Sequence, residues 1–595
     1  MARPRGRSDP AGLASLALTA VILGLVTRAY VVPPSLPSSL VLLDWAPIAS
    51  APVAIACHVD GLSLFFGGMA ALVTFTALVA SRHSADPLRA VGAAVAVAGL
   101  AALLGIVLAG DLVVLYLSWE SLGLIGYLAR RRDEPEAGRT ASVGSSRLMR
   151  PNLAVSGAAP YAVAHLAGYG LLAAGLVLGR ANSGSFALGA LPSEPLMGVV
   201  AGLVVVAALG RLVHAWGGPW ATHTQLGVLI AGLLTLSAAY LLLRALAIAG
   251  GVWTHGWSTA LAACGGLLAI VASLRLSGTD VGRYLRRSIW IDAGLLLAAL
   301  GIGGPLGIGA YLVQTASTVL SRSPIALRRE TPDGAISRRS SEAQIASGVA
   351  FGSVAALPPL LGFVARWLLI AAALEHGFWF VALATSVAGV LCAWAGLDCA
   401  SSQEPAGQED AVAVVSASAQ PASPTAPESG SAGVGEGGEI PPRATSTVGL
   451  GALVAATLPI AALSLVPSLA GRLVAPALET LASDWPNAVG TVLARGPTWP
   501  PLLLALLGPG LGFALHFGDS AGRRVSASLR QHADAVSLAI GVKATTRGRD
   551  FASAAFVALG RAGSAASDRV ARLEQGPCAA ATLALVAVAV VVLAS

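Results

Sequence analysis

Asp111-Leu-Val-Val-Leu-Tyr-Leu-Ser-Trp-Glu120-Ser-Leu-Gly-Leu-Ile-Gly-Tyr-Leu-Ala129 is an apolar run with a single carboxylate, Glu120, between its ends. A helix of this length crosses most of a hydrocarbon core of about 30 Å. An ionised group at such a depth costs about 3 kcal/mol or more unless a cation, a file of water or a shifted pKa compensates it. Glu120 is therefore the first functional candidate, as a proton carrier or an ion-pair partner. The competing reading is a helix-packing glutamate bonded to a neighbour.

Runs of this kind recur along the chain. The composition is 55% hydrophobic and 11% charged, and the mean hydropathy is +0.75. Spans are read near 11–31, 60–81, 90–109, 111–129, 159–179, 196–215, 226–249, 256–275, 287–303, 304–321, 346–373, 377–397, 447–470, 498–517 and 577–594. The expected fold is thus an all-α polytopic membrane protein with about 15 transmembrane helices.

Arginine placement orients it, because short cytoplasmic loops are enriched in positive charge. Basic segments occur at the N-terminus (Arg3, Arg5, Arg7), after the Glu120 run (Arg130, Arg131, Arg132, Arg139, Arg147, Arg150), around Arg283, Arg286 and Arg287, at Arg328, Arg329, Arg338 and Arg339, and from Arg523 to Arg572. Each follows an even number of spans, which predicts a cytoplasmic N-terminus in a bacterial-type inner (plasma) membrane. The net charge of +7 reflects this bias rather than nucleic-acid binding.

Residues 400–446, rich in Ser, Pro, Gly and Glu and free of aromatics, read as a disordered cytoplasmic loop. Residues 519–576 mix Arg and Asp with apolar residues at roughly helical spacing, as an amphipathic helix lying along lipid or partner subunits would. The five cysteines form no CxxC pair, so neither a metal site nor a disulfide framework is expected. No Walker motif is present, and the glycines of Gly301-Ile-Gly-Gly-Pro-Leu-Gly-Ile-Gly309 fit helix packing better than a nucleotide loop.

Four segments then fall in an informative order: Val59-Asp-Gly-Leu-Ser-Leu64, the Glu120 run, Asp280-Val-Gly-Arg-Tyr-Leu-Arg-Arg-Ser288 and Ala356-Leu-Pro-Pro-Leu-Leu-Gly-Phe-Val-Ala-Arg-Trp367. Over roughly residues 55 to 400 the chain resembles the antiporter-like membrane subunits shared by respiratory complex I, Mrp sodium/proton antiporters and membrane-bound hydrogenases. Ala566-Ser-Asp-Arg-Val-Ala-Arg-Leu-Glu-Gln-Gly576 before a terminal span resembles the end of the large complex I subunit with a long lateral helix. The resemblance divides the chain into N-terminal transmembrane helices (1–110), a proton-translocation core (111–399), the loop 400–446, C-terminal helices (447–518), a lateral segment (519–576) and a terminal helix (577–595).

The resemblance implies two linked proton half-channels built from a membrane Glu paired to a Lys, a central chain of Lys and His, and an exit Lys or Glu on a broken helix. Glu120 matches the family Glu, while Arg211 stands for the pairing Lys and Arg366 for the exit residue. The only lysine, Lys543, lies outside every span. A guanidinium keeps its charge where a desolvated amine releases its proton, so the arginines are expected to be fixed cations that tune Glu120 or hold water. The central His/Lys helix corresponds to Tyr311–Leu320, with Gln314 in place of a titrating group, Leu226–Gly232 has no His, and the family's next acidic residue corresponds to Gly168.

Among the remaining polar groups, His214 shares a helix face with Arg211, and His165, Asp292 and His223 sit in or near spans. Asp292 is expected to pair locally with Arg286 or Arg287. Pro219 and the Pro358-Pro359 pair lie close to Arg211 and Arg366, where broken helices expose backbone to ions, an ordinary proline kink being the alternative.

The implied function is a membrane subunit of a complex I type NADH:quinone oxidoreductase that contributes to proton translocation. NADH, flavin, iron-sulfur clusters and quinone would bind partner subunits, with no cofactor or metal in this chain. The alternatives are a subunit of an Mrp-type cation/proton antiporter or inorganic-carbon transporter, moving protons or monovalent cations, and a degenerate structural paralogue without a complete proton path.

Overall fold

The computed structural model describes residues 10–31, 37–45, 53–81, 89–140, 165, 168, 170–171, 194–216, 224–248, 255–276, 281–330, 341–401, 447–496 and 498–517. The expected loop 400–446 beyond Ser401, the lateral segment 519–576, the terminal helix 577–595, Pro219 and His223 lie outside them.

Helices α1 (Pro10–Val31), α2 (Gly61–Ser81), α3 (Arg89–Val107) and α4 (Leu112–Thr140) begin the bundle. They are followed by α5 (Glu194–Trp216), α6 (Gln225–Ile248), α7 (His255–Leu274), α8 (Val281–Ile302) and α9 (Gly304–Glu330). Next come α10 (Ser341–Val354), α11 (Leu361–Glu375) and α12 (Trp379–Ser401), and then α13 (Thr447–Leu465), α14 (Pro467–Leu481), α15 (Trp485–Arg495) and α16 (Trp499–Phe517). The fold is helical, and 6 of the described helices are long and apolar enough to cross a membrane. Others fall short for a physical reason: α8 carries Arg283, Arg286 and Arg287 besides Asp292, α9 dilutes its apolar residues with Gly, Ser, Thr and Gln314, and α10 and α11 are halves of an interrupted run.

Two features depart from the sequence reading, the hairpin and the bend after Leu465, while the break expected at Pro358-Pro359 is present. Residues between α1 and α2 form an antiparallel hairpin, β1 (Ser38–Trp45) with β2 (Val53–Val59), from β-branched and apolar residues too few to make a span. The run 346–373 is two helices, because backbone turns at Ala356 (φ 57°) and Pro358-Pro359 separate α10 from α11. The run 447–470 likewise ends at Leu465, and α14 departs at 98° after the Val466-Pro467 junction.

α6 is the axis of the bundle, with 94% of its apolar window buried, and it packs on α2, α3, α4, α5, α8 and α9. Being apolar on all sides, it suits a fully enclosed position. Small residues let other helices approach at backbone distance. A methyl on Gly294 of α8 would stand 2.6 Å from Ala269 N of α7, and Ser258 Oγ of α7 donates to Gly301 O of α8 at 2.5 Å. The angled α14 returns to the start of the chain, where Tyr30 donates to Leu473 O and Gly61 N donates to Thr480 Oγ1.

Candidate functional site

Glu120 lies eight residues into α4, about 12 Å along its axis at 1.5 Å per residue. Its Oε2 is 2.6 Å from His165 Nδ1, and its buried Oε1 has no hydrogen-bond partner. A side chain at Gly168 would overlap the carboxylate, so glycine there is what lets this helical segment close on Glu120.

Arg211 and His214 enter the same region from α5. Arg211 donates from Nη2 to Trp119 O at 2.6 Å and stacks its guanidinium 3.8 Å from the centre of the Trp119 ring. Two glycines one helical turn apart on α4 receive two polar side chains one turn apart on α5: a Cβ on Gly123 would stand 2.5 Å from Arg211 Nη1, and one on Gly126 would stand 3.4 Å from His214 Nε2. Arg211 also lies within electrostatic range of His165. Glu120, His165 and Arg211 therefore converge between α4 and α5, with His214 one turn further along α5 beside Gly126.

A second buried cluster joins α8 to α9. Asp292 Oδ2 is 2.7 Å from Arg322 Nη2 and accepts from Thr318 Oγ1 at 3.1 Å, while Asp292 Oδ1 accepts from Gln314 Nε2 at 2.9 Å. Arg322 also donates to Thr318 O and Ser288 Oγ. The expected pairing of Asp292 with Arg286 or Arg287 is corrected: offsets of six and five residues put those arginines on other faces of α8, and Arg287 instead donates to Arg275 O at the end of α7.

The third cluster lies at the break between α10 and α11. Arg366, 4% exposed, donates from Nη2 to Val354 O, the last carbonyl of α10, at 3.1 Å. The Cys392 thiol on α12 lies within electrostatic range of Arg366, Asp292 and Arg322, which makes it the link between the second and third clusters.

No protein-family model and no curated protein matches the sequence. Solved structures do match the fold. A chain of the Mrp complex from Dietzia sp. DQ12-45-1b superposes with a TM-score of 0.63 at 20% identity, covering 98% of this chain and 60% of that one. Respiratory complex I from Thermus thermophilus with bound NADH gives a TM-score of 0.59 at 16% identity, covering 81% and 96%. The membrane-bound sulfane sulfur reductase, an archaeal respiratory membrane complex, gives 0.56 at 17% identity, covering 93% and 96%. The chain has the fold of the antiporter-like membrane subunits. It spans 60% of the length of the Mrp-complex chain that it matches.

Within the antiporter-like fold, one buried cluster went unread in the sequence. Arg244 of α6 pairs with Asp60, at the start of α2, with 2.8 Å between Nη1 and Oδ2. Tyr240 Oη accepts from Arg244 at 2.7 Å and donates to Val107 O at 3.2 Å, and Ser63 donates to both Asp60 and Val107 O. Arg244 is the lone charge in the run 226–249, the same signal that singled out Glu120. Arg322 was missed because the span was ended at residue 321, whereas α9 continues to Glu330. Gln314, Thr318 and Arg322 form an i, i+4, i+8 polar stripe visible in the sequence.

Proposed function

We propose that this chain is an antiporter-like membrane subunit of a complex I type NADH:quinone oxidoreductase and contributes to its proton translocation. The observation that carries the reading is the Glu120–His165 contact at 2.6 Å, in a fold shared with subunits of complex I. A carboxylate and an imidazole at this distance can pass one proton between them without rearrangement of either helix. Arg211 keeps its charge through that exchange, so it acts as a fixed cation that orients Trp119 and biases the pair. NADH, flavin, iron-sulfur clusters and quinone belong to partner subunits in this reading. The second reading, a subunit of an Mrp-type cation/proton antiporter, is favoured by the 98% coverage of this chain in the Mrp-complex match.

The test begins with affinity isolation of the tagged chain from native membranes in mild detergent. Co-purification of NADH:quinone oxidoreductase activity supports the complex I reading, and a redox-inactive assembly that exchanges cations for protons supports the Mrp reading. Glu120→Gln removes the titrating group at constant shape. In vesicles carrying the intact assembly it is expected to lower proton uptake per substrate turned over by about tenfold or more, the usual scale for loss of a positioned proton-transfer group. Unchanged uptake would remove Glu120 as the carrier.

A further inference from the structure

We propose that the break between α10 and α11 holds a site for a small monovalent inorganic anion, with Arg366 as its cationic wall. A guanidinium carries a fixed charge, and an unpaired charge in an apolar interior is costly. Asp60 is paired with Arg244, Asp292 with Arg322 and Glu120 with His165. Among the described residues no carboxylate stands within ion-pair distance of Arg366. The charged groups that act together on Cys392 are Arg366, Arg322 and Asp292, two cations against one anion. The Asp292 carboxylate is already engaged by Arg322, which leaves Arg366 without a carboxylate partner among the described residues.

The hydrogen-bond inventory points the same way. Nη2 of Arg366 donates to Val354 O and the guanidinium also contacts the Cys392 thiol, a weak acceptor, whereas no acceptor meets its buried Nε and Nη1 at hydrogen-bond geometry. Buried donors without acceptors call for an explanation, and an ion or ordered water is one. Between Nη1 and the Gly508 backbone there is space for one methyl-sized atom: a methyl added at Gly389 of α12 would lie 3.6 Å from Nη1 and 3.4 Å from Gly508 Cα, both ordinary contact distances. The first turn of α11 begins five residues before Arg366 without a side-chain cap, and its positive helix end adds to the field. A halide or a small oxyanion such as bicarbonate or nitrate satisfies both requirements at once, by accepting from Nε and Nη1 and cancelling the charge.

The experiment uses the full chain in lipid nanodiscs, exchanged into gluconate buffer, with radiolabelled chloride as the probe and nitrate and bicarbonate as competitors. Wild-type protein is expected to bind chloride saturably. Stronger displacement by bicarbonate or nitrate would identify the natural occupant as an oxyanion, and weak displacement would identify it as a halide. Arg366→Gln should weaken chloride binding by about tenfold or more, as loss of a charge-assisted contact predicts. Gly389→Ala should weaken it by filling the gap. Cys392→Asp supplies an internal carboxylate and keeps the arginine, so it should abolish chloride binding while helical content and elution volume stay unchanged. That variant decides the matter if Arg366→Gln does not fold. Absence of saturable binding to wild type by any of the three anions, or wild-type affinity in Cys392→Asp, would overturn the proposal.

Discussion

Three buried or half-buried carboxylates of the bundle take their partners from other segments: Asp60 from Arg244, Asp292 from Arg322, and Glu120 from His165. Such pairs add little to stability when whole, because desolvation of both charges offsets their attraction, but removing one partner exposes the full cost of the other. Asp292→Asn leaves Arg322 charged at 2% exposure and is expected to destabilise the chain by about 3–5 kcal/mol. Combining it with Arg322→Met should recover most of that loss. Thermal unfolding of the single and double variants in detergent checks this, and equal midpoints for wild type and Asp292→Asn would show that the Arg322 charge does not depend on the Asp292 carboxylate for its stability. At this scale the sequence was legible wherever a lone charge interrupts an apolar run, as at Glu120. It was not legible for partner choice, because which helix faces Asp292 depends on tertiary packing that no local pattern encodes.

Helix interruptions are legible for a different reason: proline removes a backbone donor, so Pro358-Pro359 marks a break whatever surrounds it. The bend after Leu465 carried a similar mark in Pro467 but was read through, since apolar residues continue on both sides. Small-residue contacts are the element-scale feature that hydropathy hides. On α7 and α8, Gly265, Ala269, Gly294, Ala298 and Gly301 bring two backbones together, and a side chain on any of the three glycines would meet backbone atoms of the opposite helix. Gly301→Leu is therefore expected to cost about 1–3 kcal/mol or more through overpacking. Leu267→Ala, on the exposed face of α7, should change the midpoint far less. A comparison of the two unfolding midpoints tests whether this contact or general apolar content holds the helices together.

Across the whole molecule the clusters and the chain ends define two poles. One carries the β1–β2 hairpin, the start of α2, the end of α3 and the start of α4, stitched by His58 N to Leu108 O and Gly110 N to Ala56 O, with Arg244 near the end of α6 reaching Asp60. The other carries the start of α6, where Gln225 donates to Ser323 O of α9, and the junction of α7 with α8, where Arg287 donates to Arg275 O. Arg283, Arg286, Arg287, Arg328 and Arg329 all belong to helix segments at this second pole. Charge bias at membrane proteins puts such a pole on the cytoplasmic side, so the hairpin should face outward. Cys57, half-buried on β2, reports on this directly. A membrane-impermeant maleimide added to intact cells should label the chain, and Cys57→Ser should lose that label. Labelling of Cys57 only in inverted vesicles would reverse the orientation and put the Arg244–Asp60 cluster, rather than the arginine-rich pole, at the cytoplasmic face.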